Sequence, residues 1–70
     1  MTSAESRPLV LLVEDYEDAR EMYRDYLEFS GFRVETARDG HEALDKARSI
    51  HPDVILMRIP ISAHFAATAR

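Results

Sequence analysis

Hydrophobic and polar positions divide the chain into five patterned segments. Leu9, Val10, Leu11, Leu12 and Val13 form an unbroken apolar run between Pro8 and the pair Glu14-Asp15. A run apolar on both faces, and too short for a core helix, predicts a buried strand of a parallel sheet. Over residues 17–30 the spacing changes to threes and fours. Ala19, Met22, Tyr23, Tyr26, Leu27 and Ser30 recur, with Glu17, Arg20, Glu21, Arg24, Asp25 and Glu28 between them. That period predicts an amphipathic helix laying one face on the sheet. Glu17 and Asp18 complement the positive end of its dipole, and Gly31 supplies the left-handed residue that stops it.

Residues 32–37 alternate, Phe32, Val34 and Thr36 against Arg33 and Glu35, which predicts a strand with one more exposed side, suited to a sheet edge. Asp39-Gly40-His41-Glu42 has the form of a capping box, with Asp39 accepting from the helix start and Glu42 bonding back. The helix it opens runs to about Ser49 and is expected to bury Ala43, Leu44 and Ala47. His51-Pro52-Asp53 breaks the chain, because proline restricts its predecessor. Val54-Ile55-Leu56-Met57 then predicts another buried strand, with Arg58 at its carboxyl end. The order β-α-β-α-β implies an α/β fold with a parallel sheet and right-handed crossovers. Residues 1–7 read as a loose terminus, 8–58 as the domain and 59–70 as a divergent tail. Pro60 interrupts that tail, whose alanines around Phe65 suit a short weak helix or a frayed end.

Seventy residues allow at most one small domain. Thirteen acidic against nine basic side chains give a net charge of -4, unfavourable for nucleic acid or an anionic membrane. The absence of cysteine excludes disulfides, thiolate metal sites and cysteine nucleophiles, and favours a cytoplasmic setting. Residues 1–8 lack the apolar core of a signal peptide, and no run is long enough to cross a bilayer.

In an open parallel sheet the ligand site lies beyond the carboxyl ends of the strands, where Glu14, Asp15 and Arg58 fall. Adjacent carboxylates at a strand end suit magnesium, a hard cation that prefers oxygen ligands. The plainer reading is a pair of solvated acids at a helix start. No glycine cluster follows the first strand, which argues against dinucleotide binding and an ATPase phosphate loop. His41 reads as a solvated first-turn residue, His51 as a loop residue and His64 as a residue that packs with Phe65 or touches a partner. Their spacing makes no zinc signature and no hydrolase triad. Tyr16, beside the acids, suits helix-start packing or contact with a kinase-like partner.

Four pieces, in order and spacing, carry a resemblance: Leu9 through Asp15; the helix with Arg20 and Leu27 before Gly31-Phe32-Arg33-Val34; Ala37-Arg38-Asp39-Gly40-His41-Glu42-Ala43-Leu44; and Pro52 through Met57. Together they resemble the receiver domain of bacterial two-component response regulators, from Pro8 to about Arg58. The resemblance implies an incomplete flavodoxin-like, receiver-like parallel sheet that belongs to a phosphorelay with a histidine kinase as partner. In that family two acids after strand one help hold magnesium, and the third strand ends in the aspartate that takes the phosphoryl group. Glu14 and Asp15 match the acids. Arg58 matches the acceptor, and it has no nucleophilic oxygen and carries a charge that repels a cation.

Magnesium binding is accordingly expected to be weak or absent. Pro60 lies too close to Arg58 to match the family's usual proline, and Thr68 and Arg70 have no strand context for its later switch residues. Arg58 admits three readings: the start of sequence unrelated to the fold, an internal ion pair with Glu14 or Asp15 replacing the cation, or a constitutive state. The leading functional expectation is a non-enzymatic receiver module unable to accept phosphate. The alternative is an interaction or structural fragment that assembles, with itself included, through a third strand left bare in a sheet of family order 2-1-3-4-5. A magnesium-dependent enzyme lacks a nucleophile and a substrate loop.

Overall fold

The computed structural model describes residues 6–58. Strand β1 (Leu9–Val13), helix α1 (Glu17–Phe29), strand β2 (Arg33–Ala37), helix α2 (Gly40–Ile50) and strand β3 (Val54–Met57) follow one another. The strands form one parallel sheet in the order β2-β1-β3. The expected α/β architecture is present, with β1 at its centre. Leu11 stands beside Glu35 on one neighbour and Ile55 on the other, and Val13 beside Ala37 and Met57.

Local chemistry sets the ends of each element. After α1, Gly31 takes φ +105° and donates to Glu28 O, while Phe32 donates to Leu27 O. This paired 6→1 and 5→2 pattern is a Schellman stop. It draws Phe32 into the helix end, so β2 begins at Arg33, one residue later than the alternation predicts. At α2, Asp39 Oδ1 accepts from the Glu42 N–H at 2.8 Å as its capping position requires. Glu42 Oε1 bonds back to the N–H of Arg38, at 2.9 Å. His51 ends α2 in the left-handed region at φ 51°, donating to Ala47 O. Asp53 then staples the start of β3 to β1, its N–H donating to Leu9 O and its carboxylate accepting from Leu9 N–H, both at 2.8 Å.

The centre of the sheet is dry. Val10, Leu11, Leu12 and Val13 are all at most 4% exposed. Leu11 and Val13 pack with Ala37 and Ala43, flanked by Ala47 and Ile50 of α2. Val10 and Leu12 point to the opposite face, which α1 covers; both helices lie against β1 and β2.

That placement corrects three expectations of burial. β3 is not buried as its composition predicts but bare as the family strand order implies: Val54, Ile55 and Met57 are about half exposed, because among the described residues β3 has a partner strand on one side only and the two helices sit over the other two strands. Leu44 was expected in the core with Ala43 and Ala47 and is 54% exposed. Met22 and Tyr26 of the expected packing stripe of α1 are also exposed, and with Tyr23 they line an apolar depression of about 270 Å³. α1 has no fully buried residue. The expected helix within 62–70, and His64, Thr68 and Arg70, lie outside the described residues. No described helix is long and apolar enough to cross a membrane.

Candidate functional site

The carboxyl ends of the strands are brought level by backbone bonds that extend the ladder. Glu14 N–H donates to Ala37 O at 2.9 Å, and Arg58 N–H donates to Val13 O at 2.6 Å. Glu14 and Arg58 thus emerge from neighbouring strands at the same height, while Asp15 begins the turn into α1.

The two acids part company here. The Glu14 side chain is 5% exposed and faces inward. Its Oε2 accepts from the Tyr16 N–H at 3.2 Å, and its backbone oxygen accepts from Arg20 Nη1 at 3.0 Å. Asp15 is exposed and enters no ion pair among the described residues. Turn geometry explains the difference: successive residues leaving a strand point to opposite sides.

Arg58 points back over the site. Its Nε lies 3.9 Å from Glu14 Oε1, its Nη2 donates to Tyr23 Oη at 2.7 Å, and its guanidinium carbon stands 4.4 Å from the centre of the Tyr23 ring. The contact with Glu14 is a charge pair longer than a hydrogen bond; the one with Tyr23 combines a short hydrogen bond with a cation–π contact. Sequence periodicity places Tyr23 on the sheet-facing stripe and says nothing of its partner. The one hint in the sequence is its hydroxyl, a polar tip on a packing ring that usually finds a hydrogen-bond partner when buried.

Magnesium fits this donor set poorly. One inward carboxylate has an oxygen committed to a backbone N–H and the other turned to a guanidinium, and among the described residues no three His, Asp or Glu side chains cluster as metal ligands do. The remaining candidates lie apart. His41 is exposed in the first turn of α2, His51 caps its end, and Tyr16 is 64% exposed on the approach to α1.

A family model described as the response regulator receiver domain matches residues 10–63. The polar-differentiation response regulator DivK of Brucella ovis is 48% identical over 52 residues, which take in 74% of this chain and 42% of the relative. The DivK of Brucella anthropi is 46% identical over the same length. Among solved structures, the Vibrio cholerae chemotaxis protein CheY4 superimposes with a TM-score of 0.69 at 44% identity, covering 71% of this chain and 42% of that one. The chain therefore spans about two-fifths of the length of the relatives it matches. Sheet order, helix placement and these matches agree, and the chain belongs to the response regulator receiver domain family.

Proposed function

We propose that this chain is a receiver module of two-component signalling that meets a histidine kinase without accepting its phosphoryl group. The carrying observation is the position of Arg58, which follows β3 directly and turns its guanidinium to Glu14 at 3.9 Å. An acceptor at that position needs a nucleophilic oxygen, which arginine lacks. The guanidinium also places a fixed positive charge where the family resemblance implies a divalent cation, so magnesium binds weakly or not at all. The module is not an enzyme in this reading; it acts by contact, in the cytoplasm. The test is incubation with a small phosphoryl donor and magnesium, read by intact mass under conditions that preserve acyl phosphates. No stable adduct is expected on the chain, and an adduct mapped to the strand ends overturns the reading.

A second reading rests on the exposure of β3, whose Val54, Ile55 and Met57 present apolar surface on both faces of an edge that is unpaired among the described residues. It makes the chain an assembly fragment. Two copies joined edge to edge would satisfy the free backbone groups and leave the apolar faces wet. Helices centred over β1 and β2 would then stand about four strand spacings apart, roughly 19 Å, against the 8–10 Å of packed helices. The occupant that fits is a different α/β segment, supplying a parallel strand beside β3 and a helix over each face. Sedimentation of the chain alone, and of the chain mixed with the part of DivK beyond the matched residues, separates these cases. A one-to-one complex is expected, and a stable homodimer or no complex overturns this second reading.

A further inference from the structure

We infer that Tyr23 is a positioning residue that holds the Arg58 guanidinium over Glu14, and thereby keeps divalent cations off the acidic end of β1. The inference rests on the reading that Arg58 takes the place of a cation, and adds the device that keeps it there.

The contacts around Arg58 are unequal. Its backbone is fixed by the bond from its N–H to Val13 O, yet its side chain is 47% exposed and has four rotatable bonds before the guanidinium. Arginine left to solvent samples many rotamers. Glu14 does not select one, because 3.9 Å from Nε to Oε1 lies outside hydrogen-bond range. Tyr23 does. Its hydroxyl oxygen accepts a hydrogen bond from Nη2 at 2.7 Å, and its ring face lies 4.4 Å from the guanidinium carbon. These two contacts constrain the guanidinium in direction and in plane. The ring is itself half-buried on α1, a helix closed by its own Schellman stop.

The consequence falls on Glu14. A guanidinium held near a carboxylate that is 5% exposed acts through a medium less polar than water. Released from the ring, the same charge moves away from the carboxylate and is screened more fully by solvent, so it repels an incoming cation less. The orientation set by Tyr23 thus determines whether Glu14 and Asp15 face a resident positive charge or an open approach. No other described side chain is placed to hold Arg58 in this way.

The test is magnesium chloride titrated into the full chain and followed by amide NMR shifts at Glu14, Asp15 and Tyr16. Tyr23→Leu removes both contacts and is expected to tighten the apparent Kd about tenfold, equivalent to about 1.4 kcal/mol. Tyr23→Phe keeps the ring and is expected to fall between wild type and Tyr23→Leu. Arg58→Ala should bind at least as tightly as Tyr23→Leu, and adding Tyr23→Leu to it should change nothing further, because a positioning role needs the residue positioned. If Arg58→Ala tightens binding while Tyr23→Leu and Tyr23→Phe match wild type, the role of Tyr23 is overturned and the blocking role of Arg58 stands. If Arg58→Ala does not tighten binding, both fall. An equal effect of Tyr23→Leu with and without Arg58 also overturns the inference, since it marks a general effect on the fold. Tyr23→Phe preserves the packing volume and decides the matter should Tyr23→Leu lose its dispersed spectrum.

Discussion

Arg58 and Glu14 face each other across adjacent strand ends at 3.9 Å, one side chain 47% exposed and the other 5%. This asymmetry governs what the pair contributes. Burial makes Glu14 depend on its neighbours, while solvent screens the guanidinium, so attraction and lost hydration largely offset. A double-mutant cycle with Glu14→Gln and Arg58→Gln is expected to give a coupling of about 0.5–1 kcal/mol in urea unfolding. A coupling of several kcal/mol would mean that the pair is a principal support of the fold.

His51 closes α2 with φ 51°, a region where a side chain crowds its own backbone. Glycine removes that crowding and adds freedom to the unfolded chain, so the gain is partial. His51→Gly is expected to stabilise by roughly 0.5–1 kcal/mol, and His51→Val to destabilise, since branching at Cβ worsens the clash. Denaturant midpoints of the two variants should move in opposite directions. A loss of stability in His51→Gly would show that the imidazole makes a compensating contact.

The sequence pattern located each of the five described elements to within a residue or so, because the decisive signals are local: five apolar residues in a row, a 3.6-residue period, a glycine where φ must be positive. Burial was less legible. Val54-Ile55-Leu56-Met57 has the composition of an interior strand, and only the sheet order places it at an edge. Leu44 and Met22 were misplaced for the same reason: periodicity identifies an apolar face but not how far the opposing surface extends. Glu14, Asp15 and Arg58 were recognised as candidates from their places at strand ends. That Glu14 and Asp15 turn opposite ways follows from strand alternation, but which of them faces inward, and that Arg58 folds onto Tyr23, depends on packing that spacing does not encode.

Glu42 carries a pH dependence with a definite sign. The Arg38 N–H, and then the charges of Lys46 and Arg38, hold its carboxyl below the usual 4.5, against the opposing effect of lost hydration. A depressed folded-state value means that the unfolded chain takes up the proton first as pH falls. The stabilisation is therefore present above pH 4.5 and is lost as pH drops through the lower folded value. Glu42→Gln should lower the urea midpoint at neutral pH, and the gap to wild type should narrow as pH falls below 4.5. A gap that stays constant with pH would assign the effect of the substitution to helix capping alone.

Leu12 and Ile55 separate the centre of the sheet from its edge. Leu12 is 0% exposed with a strand on either side, whereas Ile55 is 50% exposed on the edge strand, to the side of the two described helices, which lie against β1 and β2. Truncating Leu12 leaves a cavity that close-packed neighbours fill only in part, so Leu12→Ala is expected to cost about 2–5 kcal/mol, enough to unfold a domain this small. Ile55→Thr removes less apolar surface from a half-wet position and retains a branched side chain suited to a strand, so it should cost about 1 kcal/mol or less. Its second effect runs the other way. An apolar edge with free backbone groups invites pairing between chains, and a polar side chain there discourages it. Ile55→Thr should therefore reduce loose, unspecific clustering of chains at high concentration, as distinct from a stable homodimer, while barely moving the unfolding midpoint. Light scattering and urea titration read the two effects separately. A loss of stability equal to that of Leu12→Ala would show that the β3 edge is covered in solution.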